Sequence, residues 1–327
     1  MNEKIILNIL SYAIRAPSTH NSQPWLFKLK ESGVSVFFDS KLKLNKVDKD
    51  GRDLFISIGC MLENMKIAAN NLGFNAKIEF KINEEHQYIA DVYFFENNNL
   101  LFDNKKLFKY IKRRVNARGS FELEKIDNDI LNKIEEINSK FNNISLEIVT
   151  EKEKIKKIAF LTEKSMHYAY KDTDFRKEMS NWMNSNISRK KEGLPGHSLK
   201  MSFLMSLLIP FIVKYFNIGK ILGKKNFQSI SSAPLMMLFS AKDEARNWIE
   251  VGRSAQKIML FLQSEGFQTS IYVGSIEIGN LHKKVEQYFG LKNRSQFILL
   301  AGHIKGTHRV TPRHDLSKKI LKWKNQL

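Results

Sequence analysis

Apolar positions first recur at helical spacing: Ile5, Ile6, Ile9, Leu10 and Ala13 predict a helix near the start of the chain. Ala16-Pro17-Ser18 ends it, because proline disfavours the helical conformation in the residue before it. A polar stretch then leads into alternating runs at Trp25–Leu29 and Val34–Phe38, which predict strands. A helix is expected over Arg52–Asn71, stopped at Leu72-Gly73 by a glycine just past its end. Two further strands, Lys77–Ile82 and Tyr88–Phe95, complete a first unit over residues 1–100. The Glu96-Asn-Asn-Asn run marks its boundary.

The second unit, 101–327, reads as helices over Leu101–Val115, Asp127–Phe141, Glu151–Tyr168, Asp174–Asn184, Lys200–Tyr215 and Ala245–Glu265. Strands are expected near Ser145–Val149, Leu235–Phe239 and Phe297–Ile304. Two of the long helices share a pattern. Gly59 and Gly73 stand 14 residues apart, as do Gly252 and Gly266. Each second glycine is followed by phenylalanine (Phe74, Phe267) and, five positions on, by isoleucine (Ile78, Ile271). Such matched spacing predicts an internal duplication. A duplicated chain can fold as an intramolecular pseudo-dimer, whose internal cleft is a natural place for a ligand. The expected class is α+β, with two pseudo-repeats each built on an antiparallel-rich sheet packed by helices.

Composition supports a packed globular chain: 43% of the 327 residues are hydrophobic, including 23 Phe, with only 16 Gly and 6 Pro. The single cysteine, Cys60, excludes an intramolecular disulfide or a multi-cysteine metal site and fits a reducing compartment. The first residues lack a small-residue cleavage site, so a soluble cytoplasmic protein is expected. The apolar run Met201–Val213 falls short of the roughly 20 residues that cross a bilayer, and Pro210 interrupts it. A buried or lid helix is expected there, with a membrane-surface helix as the other reading. The net charge of +19 is spread along the chain without long basic runs. It therefore reads as solvated surface rather than a nucleic-acid site, yet it favours small anions, phosphate-bearing cofactors among them. No partner membrane or nucleic acid is expected. His303, His308 and His314 lack carboxylate or thiol partners at metal spacing, so no metal is expected. The chain carries no dinucleotide-fold glycine motif and no phosphate-binding P-loop.

Candidate chemistry concentrates in Pro17-Ser18-Thr19-His20-Asn21-Ser22-Gln23-Pro24-Trp25. Ser, Asn and Gln donate and accept hydrogen bonds, the mixture that a flavin or nucleotide ring edge requires. The same residues also build turns that satisfy their own backbone. Chemistry alone leaves both readings open.

PSTHNSQPW resembles the flavin-binding loop of the nitroreductase family, whose pattern is close to P-S-[ST]-x-N-x-Q-P-W. In that family the loop reaches across a dimer interface to the FMN held by the other subunit. The resemblance implies FMN contacts for Pro17, Ser18, Thr19, Asn21 and Gln23; Trp25 reads as core, and His20 as a satisfied loop histidine or, alternatively, a substrate-facing group. Arg114-x-Asn116-x-Arg118 is similar to the family's R-x-S-x-[RK] motif, which serves the ribityl chain, phosphate and ring. Asn replaces the usual Ser. Thr269-Ser270-Ile271-Tyr272-Val273-Gly274 resembles the stretch whose backbone approaches the flavin N5, with Ile271, Tyr272 and Gly274 implied as cofactor contacts. Arg313, after the last strand, matches the phosphate-binding arginine, with Arg309 as second choice. One half supplies the loop and the other the arginine motif, as in the internally duplicated Acg-like subgroup. One complete site per chain is implied, with the symmetry-related one empty.

The resemblance implies an FMN-dependent oxidoreductase passing two electrons from NAD(P)H to a small acceptor such as a nitroaromatic or quinone. The protein would be a monomeric pseudo-dimer or pair again as a homodimer. The alternative keeps the fold without turnover: an insertion at about 180–225 lies as a lid over a sequestered FMN.

Overall fold

The computed structural model describes residues 1–96, 102–306 and 308–321, without the side chains of residues 102 and 103. In the first part, α1 (Glu3–Ala13) is followed by strands β1 (Trp25–Lys30) and β2 (Gly33–Phe38), helix α2 (Arg52–Asn71), and strands β3 (Phe74–Asn83) and β4 (Tyr88–Glu96). Next come α3 (Phe102–Phe108), α4 (Asn128–Ser139), β5 (Ile144–Val149), α5 (Lys152–Ala169) and α6 (Thr173–Trp182). The short strands β6 (Met183–Asn184) and β7 (Leu194–Pro195) precede α7 (Phe203–Tyr215) and α8 (Gly219–Ser231). The chain continues through β8 (Leu235–Ala241), α9 (Ala245–Ser264), β9 (Gln268–Ile271), α10 (Gly274–Glu277), α11 (Leu281–Phe289) and β10 (Arg294–Gly302).

The two four-stranded sheets repeat one topology. Their orders are β1-β2-β4-β3 and β5-β8-β10-β9, all antiparallel, so each runs first-second-fourth-third along the chain. In each, a 20-residue helix joins the second strand to the third: α2 in one, α9 in the other. Both helices end on a glycine in the left-handed region, Gly73 and Gly266, each donating its N–H to the carbonyl three residues back. The sequence repeat thus corresponds to a repeat of structure.

Between the sheets, α2 and α9 lie against each other in the largest core cluster. Their crossing is nearly backbone to backbone. A Cβ at Gly59 would stand 2.0 Å from the Ile249 carbonyl oxygen, and one at Gly252 would stand 2.0 Å from that of Ile56. The contact is reciprocal, each glycine meeting the carbonyl three residues before its counterpart. Polar side chains fix the register: Gln256 Nε2 donates to Asn64 Oδ1 (2.7 Å), and the Cys60 thiol to the Gly252 carbonyl (3.2 Å). Burial pushes that thiol up to about 12, so it stays protonated.

Several expectations change. The helix predicted over Leu101–Val115 stops at Phe108, and its first residue lies outside the described residues. Turns follow, with the N–H groups of Arg113 and Arg114 both bonded to the Tyr110 carbonyl. Beyond them the chain is drawn against β9, where the Ala117 N–H meets the Thr269 carbonyl (2.8 Å). Pairing with a sheet edge outweighs helix propensity there. The Asn run after Glu96 lies outside the described residues. The apolar run 201–213 forms α7 but is not enclosed: Ser206, Ile209 and Val213 are buried while Leu204, Leu208 and Phe211 face solvent. Among the described residues no single helix is long and apolar enough to cross a membrane.

Gly59→Ala or Gly252→Ala should force α2 and α9 apart, costing about 3 kcal/mol. Urea unfolding monitored by circular dichroism checks this; a loss below about 0.5 kcal/mol would mean the helices do not cross at the glycines.

Candidate functional site

Three stretches distant in sequence meet along the first turns of α2: residues 16–24, residues 114–118 and the C-terminal segment around Arg313. The first is a strained loop. His20, Asn21 and Gln23 all adopt left-handed backbone angles (φ 52°, 57° and 54°), a conformation that side chains disfavour. Hydrogen bonds hold it there. The Gln23 N–H donates to Ser18 Oγ (2.9 Å), the Thr19 N–H to Ser57 Oγ on α2, and the Thr19 hydroxyl to Asp53 (3.4 Å). Pro17 and Ser18 are half-buried, while Trp25 is fully buried in the core.

Asn21 and Gln23 knit the loop to two other segments. Asn21 Nδ2 donates to the carbonyls of Lys191 (3.0 Å) and Pro312 (3.1 Å), and its Oδ1 accepts from Arg313 (2.7 Å). Gln23 Nε2 donates to the same Lys191 carbonyl (2.7 Å), and its Oε1 accepts the His314 N–H. Lys191 lies in the 183–202 stretch ahead of α7, so the insertion leans directly on this loop. His20 Nε2 contacts Met179 Sδ of α6 at 2.8 Å. Burial lowers the His20 imidazole to about 4, with Asp53 opposing the shift and Arg118 adding to it. The ring is neutral near pH 7.

The second stretch brings in Arg114, Asn116 and Arg118. Asn116 Oδ1 accepts the Ile271 N–H (2.9 Å), joining the arginine segment to the end of β9. The Arg118 guanidinium stands over the Tyr272 ring at 5.7 Å. The Tyr272 hydroxyl turns away, donating to Ser229 Oγ (2.8 Å). Gly274 opens α10, and its missing side chain makes room for α5: a Cβ would lie 2.6 Å from Ser165 Oγ.

Arg114 is the unusual member. It is 4% exposed, its Nε and Nη1 have no hydrogen-bond partner, and no described carboxylate pairs with it. Arg313 is buried beside it. Its terminal nitrogens bind Asn21 Oδ1, the Thr311 side chain and the carbonyls of Arg15 and Ala16, leaving Nε unpartnered. Burial lowers Arg313 to about 9, helped by the charges of Arg114 and Arg15, and burial lowers Arg114 to about 10. Three guanidinium groups therefore raise the potential of one buried region without a carboxylate to balance them. Desolvated cations of this kind call for an anion with several acceptor oxygens. Arg309, by contrast, is exposed.

At the α2 N-terminus stands the opposite charge. The Asp48 carboxylate caps the helix through the N–H groups of Asp53 and Leu54, and Arg52 bridges Asp53 (3.4 Å) and Glu277 (3.3 Å). Burial, then the charge of Asp53, raises Asp48 to about 7 and Glu277 well above the usual range. Sequence reading missed this cluster as well as Arg15. Arg52 and Asp53 open a helix the sequence predicts, but nothing local revealed Asp48 as its cap or Glu277 as the partner of Arg52.

The topologically equivalent end of α9 is filled by the chain itself. Arg246 stacks on Phe80 at 3.4 Å, and Arg253 lies over Phe141 at 5.3 Å while binding Glu250 (2.9 Å) and Glu63 (3.3 Å). Every described arginine there has a ring or a carboxylate. Two surface clefts, of about 560 and 520 Å³, lie elsewhere: one beside Phe121 and Lys200, the other on the outer face of the first sheet around Lys81 and His86. Among the described residues no group of His, Cys, Asp and Glu is placed to hold a metal.

No family model matches the chain. Two curated proteins of Mycobacterium tuberculosis (strain ATCC 25618 / H37Rv) do. One, provisionally named NAD(P)H nitroreductase Rv3131, is 36% identical over 73 residues, 22% of this chain and 21% of that protein. The other, provisionally named NAD(P)H nitroreductase acg, is 33% identical over 75 residues, 23% of each chain. The match thus spans under a quarter of the curated relatives' length. Among solved structures, the FMN-dependent nitroreductase NfnB of Mycobacterium smegmatis in complex with NADPH aligns at 16% identity, over 67% of this chain and 99% of that one, with a TM-score of 0.44. An FMN and NADPH-dependent NfnB variant from a Sphigopyxis strain aligns with the same identity and coverage and a TM-score of 0.45. The chain is similar in sequence to NAD(P)H nitroreductases, the Acg protein among them.

Proposed function

We propose that this chain is an FMN-dependent oxidoreductase of nitroreductase type, with one flavin site built from both halves of a duplicated polypeptide. The observation that carries the reading is Arg114: a buried guanidinium with two unpartnered nitrogens, beside Arg313 and Arg15, where a phosphate would satisfy all three. The donor set fits a phosphate ester attached to a planar ring system. Cationic groups lie toward Arg114, while the loop and the β9 edge supply amide and backbone groups around Asn116, Ile271 and Arg118. When bound, FMN supplies two-electron transfer from NAD(P)H to a small oxidant such as a nitroaromatic or quinone.

The chain's own residues then have distinct tasks. Arg114 and Arg15 offer free donors to the phosphate. Arg313 acts mainly by holding Asn21 and the carbonyls of Arg15 and Ala16, so its charge reaches the site while its hydrogen bonds fix the loop. Arg118, held over Tyr272, would offer a cation to the ring of the bound cofactor and favour negative charge on it. Pro17, Ser18, Thr19 and Gln23 shape the loop, and neutral His20 faces the space between loop and insertion. The first half is read as 1–100 and the second as 101–327, in a cytoplasmic protein. The self-filled end of α9 is read as the lost second site.

One observation favours a second reading. The Lys191 carbonyl accepts from both Asn21 and Gln23, so the insertion already clasps the loop. A flavin held beneath it would be stored rather than turned over. NADPH oxidation by flavin-loaded protein, with menadione or nitrofurazone as acceptor, separates the two. Turnover well above the rate of free FMN supports the enzyme; none, with FMN still tightly bound, supports storage.

Arg114→Ala should weaken FMN binding about 10- to 100-fold, while Arg246→Ala leaves the flavin content at one per chain. Absorbance of purified protein at the flavin bands reads both. Two flavins per chain, or unchanged retention in Arg114→Ala, would sink the site. His20 also gives a pH signature. Its folded-state value, about 4, lies below the ordinary 6.5, so its contribution to stability is full above pH 6.5 and is lost as pH falls toward 4. His20→Gln should flatten that part of the Tm-versus-pH curve; an unchanged slope would refute the assignment.

A further inference from the structure

The insertion carries a surface that the flavin reading does not use. α7 is apolar on opposite sides. Ser206, Ile209 and Val213 pack inward, Ile209 and Val213 joining Tyr170, Phe175 and Met179 in a small core. Leu204 (71% exposed), Leu208 (55%), Phe211 and Tyr215 follow one another at helical spacing on the outer side. After a bend of 118°, α8 carries a further exposed apolar side chain, Ile221 (60% exposed). A helix apolar all round is ordinarily enclosed by protein or lipid. Nothing in the described chain encloses this one.

Charge identifies what covers it. No Asp or Glu occurs between Glu192 and Asp243, whereas Lys200, Lys214, Lys220, Lys224 and Lys225 all do. Each of these lysines is exposed, and Lys214, Lys220, Lys224 and Lys225 form no ion pair with any described residue. Some lysines elsewhere on the molecule sit beside carboxylates, as Lys140 does with Glu136, but no acid is available to those of this stretch within it. An apolar face with a lysine rim and no acid is complementary to an anionic surface with an apolar interior. A second copy of the chain would instead bring two lysine rims together, at an electrostatic cost. Thirteen residues at about 1.5 Å each give α7 a length near 20 Å, short of the roughly 30 Å hydrocarbon core. By length α7 alone can lie on a bilayer but not cross it, and the 118° bend turns α8 away from its axis.

We infer that the α7–α8 elbow docks on an anionic lipid surface, with Leu204, Leu208, Phe211 and Ile221 entering the acyl boundary and the lysines meeting the headgroups. This takes up the membrane-surface reading of the apolar run in place of the expectation of no membrane partner. The reason is that the apolar run forms a helix buried on one side only. The inference stands apart from the flavin reading, because none of its residues touches the arginine cluster.

The test is co-sedimentation of the full chain with phosphatidylglycerol/phosphatidylcholine vesicles and with phosphatidylcholine alone, across a salt series. Binding should be at least about ten-fold stronger to the anionic vesicles and should fall with salt. Leu204→Ser with Leu208→Ser should abolish it. Lys220→Gln with Lys224→Gln should weaken it by about ten-fold and flatten the salt dependence. Both double variants change exposed side chains, and circular dichroism verifies that they fold. No binding to anionic vesicles, equal binding to neutral ones, or a wild-type dimer in sedimentation equilibrium that Leu208→Ser dissociates would each overturn the inference.

Discussion

The reciprocal approach of Gly59 and Gly252 to the carbonyls of Ile249 and Ile56 is the constraint on which the rest of the molecule depends. It brings two helix backbones into contact, and through them it sets how the two sheets face each other. The first turns of α2 carry Asp53, Ser57 and Cys60, which touch the N-terminal loop or lie in the field of Arg114. The arginine segment in turn is pinned to β9 through Asn116 and Ala117. The loop rests on α2 and the arginine segment on the strand that follows α9, so the close crossing of the two helices sets how loop and arginines meet. Packing of this tightness transmits position with little slack.

Charge is arranged on that frame with a clear polarity. Asp48, Asp53 and Glu277 gather around Arg52 at the start of α2, while Arg15, Arg114 and Arg313 gather beyond it without a carboxylate. Neither group is at ease alone. Burial drives Asp48 and Glu277 toward protonation and lowers the proton affinity of Arg114 and Arg313, the usual cost of desolvated charges. Clusters that perturb one another so strongly are commonest where a ligand completes the balance. The end of α9 shows the contrast: its arginines are satisfied by Glu63, Glu250 and aromatic faces.

Much of this was legible in sequence because it is written in local chemistry. Helix stops at Gly73 and Gly266 follow from the left-handed backbone that glycine alone adopts freely. The equal spacing back to Gly59 and Gly252 announced the repeat, and the structure gives those glycines a shared reason. What escaped was whatever depends on distant partners. The helix predicted through Val115 yields after Phe108 because Ala117 finds Thr269, some 150 residues away. Arg15 drew no notice as an ordinary helix-end arginine, and Glu277 had no local sign of its ion pair with Arg52. The loop residues were recognised as hydrogen-bonding groups, but their left-handed backbone and the carbonyls that bind them, Lys191 and Pro312, come from folding alone. The outward face of α7 was equally hidden, since apolar periodicity does not say which side is covered.

The glycine crossing has an implication for how the halves recognise each other. By backbone shape alone, α2 would fit another α2 as well as it fits α9, since Ile56 and Ile249 present the same carbonyl. The side chains break that equivalence. Glu63, buried on α2, is neutralised by Arg253 of α9, and Asn64 is matched by Gln256. A pairing of two α2 helices would confine two carboxylates with no cation between them, an expensive arrangement. Each molecule is thereby biased to complete itself rather than trade halves with a neighbour, and domain swapping is discouraged by electrostatics where shape would have allowed it.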